Sequence, residues 1–121
     1  MDSPDSRRPH WVYRAGSEPD PRFTLANERT FLAWIRTSLA LLAGGVALEA
    51  LDLPIADPWA SISAILLVLL GTLSPAWAWL GWARSERAAR TAQPLPSPTG
   101  STVLAIGVVV AGVSALVGAL V

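Results

Sequence analysis

Two arginines stand seven residues apart in the first apolar stretch of the chain, and they are the residues most able to do chemistry. Arg29 lies near the start of this stretch and Arg36 lies within it. A guanidinium group carries fixed, planar donors that match carboxylate and phosphate oxygens. Seven residues correspond to about two helical turns, so both side chains fall on one face of a helix. The pair therefore predicts a site for a phosphate-type or other anion.

Two structural alternatives apply to the same residues. Arg36 has no acidic residue within three or four positions, and an unpaired charge in hydrocarbon costs about 3 kcal/mol or more. It can instead snorkel to the inner headgroups and serve only as a topology anchor. Glu28 projects about 100° away from Arg29 on a helix, so it can reach an arginine of an adjacent helix or protomer. The second alternative predicts an inter-helix polar contact in place of a ligand site.

The face that carries the two arginines consists otherwise of small residues. Such a face lets two helices approach closely in lipid, where packing drives association. Its further members are Ala33, Ala40, Ala43 and Ala47, with Thr37 and Gly44 at its edge. The opposite side carries Phe31, Trp34, Leu41, Leu42 and Leu48 and is suited to lipid or bulky packing. We predict that the small-residue face packs against another helix.

The composition indicates a membrane protein. Hydrophobic residues make up 52% of the 121 residues, which exceeds the usual share in soluble chains. They concentrate in three runs, at about 31–51, 59–82 and 102–121. Each run is close to the ~20 residues that a helix needs to cross a bilayer. We predict an all-α integral membrane protein with three transmembrane helices, the first preceded by a short interfacial amphipathic helix start near Thr24.

Charge and residue usage argue against several classes of function. Cysteine is absent and the one histidine, His10, lies near the N-terminus, which removes thiol chemistry and the common metal-ligand sets. No glycine-rich phosphate loop or catalytic triad can be assembled. The net charge is zero, so no overall field attracts nucleic acid. We predict neither an enzyme nor a cofactor, metal site or nucleic-acid partner.

The polar segments predict the topology. Residues 1–21 contain four prolines and no apolar period, which predicts a disordered cytoplasmic tail before a membrane domain at 22–121. Residues 83–101 are predicted to be a cytoplasmic linker that begins as a helix, with Glu86 spaced to pair with Arg90, and continues as a proline-rich stretch. The N-terminal segment and the linker both carry arginines, whereas the loop at 52–58 is acidic and has none. The positive-inside rule then places the N-terminus in the cytoplasm and the C-terminus outside.

Two features concern helix packing. Pro75 lies inside the second run and cannot donate a backbone hydrogen bond, so Ser74 or a neighbouring helix must satisfy the carbonyl that it frees. In the third run, small residues recur every three to four positions at Gly107, Ala111, Ser114 or Ala115, and Gly118. We expect the first and third helices to mediate self-assembly into a homo-oligomer.

Residues 22–48, RFTLANERTFLAWIRTSLALLAGGVAL, resemble the signature of the domain of unknown function 202, the YidH-like family of small bacterial inner-membrane proteins. The specific part is ANERTFLAWIRT, from Ala26 to Thr37. The resemblance implies a location in the plasma membrane, which is the inner membrane of a bacterium. The domain also distantly resembles the small membrane subunit of the vacuolar transporter chaperone complex. That complex polymerises phosphate and moves the polyphosphate chain through a membrane pore lined by basic residues. That resemblance implies Asn27, Glu28, Arg29 and Arg36 as the matching site positions.

Two functions follow from these patterns. The first is a homo-oligomeric transport or channel-like component with an arginine-lined, cytoplasmic-side site for an anion. The second is a non-transporting structural or accessory subunit that binds partner membrane proteins or anionic lipids. An anion path predicts a water-filled, arginine-lined opening between copies. An accessory role predicts closed packing and partners that co-purify.

Overall fold

The structure is a computed structural model that describes residues 5–121, and all regular secondary structure in this range is helical. Its elements are α1 (His10–Tyr13), α2 (Pro21–Ala50), α3 (Trp59–Arg90) and α4 (Thr99–Leu120). The last three are each long and apolar enough to cross a membrane. Helix α3 lies in the middle, and α1, α2 and α4 pack against it. The predicted all-α fold with three transmembrane helices is confirmed.

Helix α2 begins three residues before the predicted Thr24. Asp20 is its N-cap, and the Asp20 side chain accepts a hydrogen bond of 2.8 Å from the backbone N–H of Arg22. Pro21 occupies the first helical position, where its missing N–H has no consequence. Within α2, the buried residues are Ser38, Leu41 and Gly45, at steps of three and four. The helix therefore rests on α3 along one narrow stripe.

The contact between α2 and α3 centres on the backbone carbonyl of Gly71. Pro75 has no N–H to donate to this carbonyl, which lies four residues earlier in α3. The hydroxyl of Ser38, which is 2% exposed, donates to it from α2. A Cβ on Gly71 would lie 3.0 Å from the backbone nitrogen of Leu42, so only glycine permits this approach. The neighbouring helix thus satisfies the carbonyl that proline frees, and Ser74 bonds instead to the Leu70 carbonyl of its own helix.

Helix α4 packs against the other side of α3 through its small residues. The Ser63 hydroxyl donates a hydrogen bond of 2.9 Å to the carbonyl of Ala111. A Cβ on Gly107 would lie 2.7 Å from the Leu70 side chain, and one on Gly118 would lie 2.6 Å from Trp59. The small residues of α4 therefore face α3 within the same chain, where they allow close backbone approach. Helix α4 begins at Thr99, so the last residues of the predicted linker are helical.

The segment before α2 differs from the disordered tail predicted for residues 1–21. Met1–Pro4 lie outside the described residues, but from residue 5 onward the chain packs on the end of α3. Val12 is 0% exposed, and the backbone N–H of Ser17 donates to the Arg90 carbonyl at 3.0 Å. Gly16 has φ +52, and a Cβ there would collide with that carbonyl. The order comes from one buried apolar side chain and from backbone hydrogen bonds, neither of which produces a periodic pattern.

Arg90 holds this segment. The residue is 6% exposed. Its guanidinium group donates hydrogen bonds to the carbonyls of Tyr13 at 2.6 Å and Ala15 at 3.0 Å. The predicted ion pair between Glu86 and Arg90 does not form among the described residues. The Arg90 side chain bonds instead to two carbonyls of the N-terminal segment, and its own carbonyl accepts from the Ser17 N–H. Glu86 accepts a hydrogen bond from α2.

Replacing Ser38 by alanine should destabilise the protein by about 1 kcal/mol, because the Gly71 carbonyl then has no partner in hydrocarbon. The measurement is the free energy of unfolding in mixed micelles titrated with SDS. Thr37→Ala is the matched control, since the Thr37 hydroxyl bonds only to the Ala33 carbonyl of its own helix.

A double-mutant cycle isolates the proposed cause. In a Pro75→Ala background the new N–H at position 75 can reach the Gly71 carbonyl, so Ser38→Ala should cost less than it does beside Pro75. An equal cost in the two backgrounds would contradict the role assigned to Ser38.

Candidate functional site

Arg29 and Arg36 lie on the exposed face of α2, which points away from α3. Neither forms an ion pair with any of residues 5–121. A span of about 20 residues counted back from Ala50 places the inner hydrocarbon boundary near residue 31. Arg36 then lies about 8 Å inside that boundary at 1.5 Å per residue. Its guanidinium therefore needs a partner that residues 5–121 of the same chain do not supply.

The small-residue face around the arginines is uncovered in the single chain. Ala33, Ala40 and Ala43 are exposed. At the edge of the face, Thr37, Gly44 and Ala47 are half-buried, and a Cβ on Gly44 would lie 3.6 Å from Leu67. The bulky side of α2 packs on α3 instead, with Leu41 buried there. The packing partner predicted for the small-residue face is thus not found within residues 5–121.

A cleft of about 470 Å³ separates α2 from α4 beside this face. Its walls are Thr30, Ala33, Trp34 and Thr37 of α2 and Ser101, Leu104, Ala105 and Val108 of α4. Part of the small-residue face thus forms one wall of an open groove. The small residues of this wall allow a helix from outside the chain to approach α2 closely.

Asn27 and Glu28 do not join the arginines. The Asn27 side chain donates a hydrogen bond of 3.0 Å to the carbonyl of Trp82, so it ties α2 to α3. Glu28 lies on the flank of α2 that faces the N-terminal segment, where it lines a cleft with Tyr13. The four predicted site residues are therefore spread over three flanks of α2, and only Arg29 and Arg36 share one.

Glu86 was not predicted as a site residue, and it is the most buried acidic group among the described residues. It is 1% exposed. Its Oε2 accepts a hydrogen bond of 3.4 Å from the Thr24 hydroxyl, and its Oε1 has no hydrogen-bond partner within residues 5–121. Its spacing from the buried Ala83 and Arg90, three and four residues away, places all three on one face of α3. That spacing was the available sign that this stretch is not a solvated extension.

Ion pairs reinforce the docked N-terminal segment. Arg7 lies 2.6 Å from Asp5 and 2.7 Å from Glu18, and Glu18 lies 3.4 Å from Arg90. Hydrogen bonds from Arg7 lower the pKa of Asp5 from 3.8 to about 2. The same arginine lowers the pKa of Glu18. These groups are solvated, so each pair stabilises the docked segment only modestly.

Comparisons with known proteins identify relatives of this chain. The model of a domain of unknown function, DUF202, matches residues 22–88, which include α2 and nearly all of α3. An uncharacterized protein of Mycobacterium tuberculosis H37Rv is 47% identical over 100 residues, which are 82% of each chain. The inner membrane protein YidH of Escherichia coli K12 is 41% identical over 103 residues, which are 84% of this chain and 90% of YidH. No solved structure matches the chain.

Replacing Arg90 by glutamine should release the N-terminal segment from α3, because hydrogen bonds from a charged donor contribute about 1.5–3 kcal/mol. Hydrogen exchange of the Val12 and Tyr13 amides, which bond to the Pro9 carbonyl, should then accelerate at least about tenfold. Arg84→Gln, at an exposed position of the same helix, is the control. Unchanged protection in Arg90→Gln would show that the segment docks without this side chain.

Acid should weaken the same docking in a defined window. The folded-state pKa of Asp5 lies below its ordinary value, so its ion pair stabilises the docked segment above pH 3.8 and is lost as the pH falls toward about 2. NMR titration of the Asp5 carboxyl carbon measures this directly. In Arg7→Gln the pKa of Asp5 should rise toward its ordinary value, although the backbone N–H of residue 7 still donates to the Asp5 carboxylate. An Asp5 pKa that stays at about 2 in Arg7→Gln would contradict the role assigned to the Arg7 side chain.

Proposed function

This chain belongs to the DUF202 family and is a multi-pass membrane protein, and from that premise we propose that its copies assemble into a transport or channel-like component for an anion. The residues that carry the proposal are Arg29 and Arg36. The observation that supports it most is the exposed position of Arg36 on α2 at hydrocarbon depth, without an ion pair among the described residues.

The exposed guanidinium of Arg36 is energetically unfavourable in the bilayer. Leaving Arg36 in hydrocarbon costs about 3 kcal/mol or more. Snorkelling lowers this cost for an isolated helix, but it does not explain why Ala33 and Ala40, three and four residues from Arg36 on the same face, are both alanine. Alanine gives little contact area to lipid and close approach to a helix. The small-residue face is therefore better suited to another protein surface, and a second copy offers the same face and the same cleft.

The positive charge of Arg29 and Arg36 favours an anion as the ligand. Arg29 and Arg36 share one flank, whereas Glu28 lies on the flank that faces the N-terminal segment. The nearest acidic residue thus does not neutralise the pair. When copies meet through this flank, the arginines of each copy form rows of like charge about 10 Å long. Such rows need an anion between them, and guanidinium forks match tetrahedral oxyanions.

The orientation of the helices in the membrane determines the side from which an anion reaches the arginines. The ends of α2 and α3 that carry the arginines lie together, beside the docked N-terminal segment. By the positive-inside rule we place this end in the cytoplasm and the acidic loop at 52–58 outside. Arg29 and Arg36 then face an anion that arrives from the cytoplasm. The proposal involves no catalytic step, and no residue is assigned a catalytic role.

An accessory role is the second candidate, and the packing of the single chain favours it. Helices α2 and α4 both pack on α3 within residues 5–121, and closed packing is what an accessory role predicts. In this case the small-residue face binds a helix of another membrane protein. A carboxylate of that helix, or an anionic lipid, then pairs with Arg36. The two candidates differ in what the arginines meet, and the same variants test both.

Arg36→Leu keeps the apolar volume and removes the charge, so insertion should be unchanged while phosphate flux into proteoliposomes falls at least about tenfold. Arg22→Leu, on the same helix but outside the membrane with its guanidinium paired to Asp20, should retain flux. The oligomeric state in nanodiscs is measured in parallel. Absence of phosphate flux in the unaltered protein, with a stable complex of another membrane protein, would favour the accessory role.

A further inference from the structure

We propose that the cleft between the N-terminal segment and the membrane helices binds an ammonium group. This aromatic cleft has a volume of about 270 Å³ and lies between α1, α2 and α3. It is lined by Tyr13, Thr24, Glu28, Phe31, Trp79 and Trp82. Four of these six side chains are aromatic and one is a carboxylate. This combination is the one that recognises primary and quaternary ammonium ions in proteins. The inference is independent of the anion site proposed above, which uses the opposite flank of α2.

The aromatic rings form the walls of the cleft. The Trp82 ring lies 6.1 Å from Tyr13 with an angle of 54° between the planes, and 6.3 Å from Trp79 with an angle of 39°. Tilted rings do not stack on each other fully, so parts of their faces stay open to the cleft. Aromatic faces carry negative partial charge and attract a cation, and tryptophan does so most strongly. The two tryptophans therefore supply the main binding surface.

Two carboxylates add negative charge without an arginine partner among the described residues. Glu28 lines the cleft directly. Glu86 lies behind the Thr24 side chain. The Thr24 hydroxyl donates a hydrogen bond of 3.4 Å to Oε2 of Glu86. Neither carboxylate forms an ion pair within residues 5–121. Glu86 is buried, which strengthens its attraction for a cation, whereas Glu28 is exposed and open to a ligand from solution.

Two arginines stand near the cleft, and both are already paired. The Cζ atom of Arg7 lies 4.4 Å from the Tyr13 ring centroid, and that of Arg90 lies 5.6 Å from it. Arg7 pairs with Asp5 and Glu18, while Arg90 donates to backbone carbonyls and lies near Glu18. The two arginines lie against the Tyr13 ring. The rings of Trp79, Trp82 and Phe31 are left to contact the ligand. The excess negative charge thus lies on the α2 side, at Glu28.

The position in the fold indicates where the ammonium group comes from. The aromatic cleft lies at the arginine-rich ends of α2 and α3, where tryptophans mark the level of the lipid headgroups. An ethanolamine or choline headgroup reaches this level from the bilayer, and a free organic cation reaches it from the aqueous side. Both sources present the same chemistry to the cleft. The test separates them.

The test uses the full chain in nanodiscs of phosphatidylglycerol, which has no ammonium group. Equilibrium dialysis of radiolabelled choline should show saturable binding, and the neutral isostere 3,3-dimethylbutanol should not compete. Glu28→Gln preserves the shape of the cleft and should weaken choline binding at least about tenfold. Glu49→Gln, which removes an exposed carboxylate at the other end of α2, should leave it unchanged. Trp79→Leu should weaken binding while Trp59→Leu does not.

Each outcome decides the matter. Loss of choline binding when phosphatidylethanolamine is added to the discs supports a headgroup ligand, and retention supports a soluble cation. Absence of saturable binding in phosphatidylglycerol discs, or equal competition by the neutral isostere, would overturn the proposal. Arg36→Leu should bind choline normally, so failure of the anion site and failure of this site are distinguishable.

Discussion

Hydrocarbon offers no hydrogen-bond partner, so the polar groups that α2, α3 and α4 carry into the membrane must find partners in the protein. Pro75 leaves the Gly71 carbonyl without its N–H, and Ser38 reaches it from α2. Nearer the basic end and outside the hydrocarbon boundary, the Asn27 side chain donates a further hydrogen bond from α2 to the Trp82 carbonyl of α3. Together these bonds fix how α2 is rotated about its axis. Every other feature of the site follows from that rotation.

The rotation separates the charges of α2 by sign. Arg29 and Arg36 point outward with the small residues, while Glu28 points into the aromatic cleft beneath the N-terminal segment. Pairing between Glu28 and an arginine of the same helix is thereby avoided. The molecule presents a positive flank suited to an anion or a partner carboxylate, and a negative, aromatic flank suited to a cation. The first proposal and the further inference therefore rest on one geometric cause and concern opposite sides of α2.

Parts of this structure could be predicted from the sequence and parts could not. The three apolar runs predict the helices because a span of about 20 residues is required by the bilayer, and Pro75 predicts that some neighbour must bond to a freed carbonyl. The identity of that neighbour, Ser38, depends on the register between two helices, which no local pattern contains. The docking of residues 5–20 was missed because a single buried side chain, Val12, and backbone hydrogen bonds to Arg90 leave no periodicity. The grouping of Asn27 and Glu28 with the arginines stays a prediction, since the single chain spreads them over separate flanks.

A transport site between copies requires that the small-residue face of α2 contacts another copy of the chain and not lipid. The chain contains no cysteine, so a single cysteine introduced at Ala40 can be oxidised in native membranes without background. The account predicts a disulfide-linked dimer from Ala40→Cys and none from Leu39→Cys, which is exposed on the neighbouring flank. Absence of the Ala40→Cys dimer, with that thiol open to a lipid-soluble reagent, would contradict it and leave Arg36 as an anchor in the headgroups.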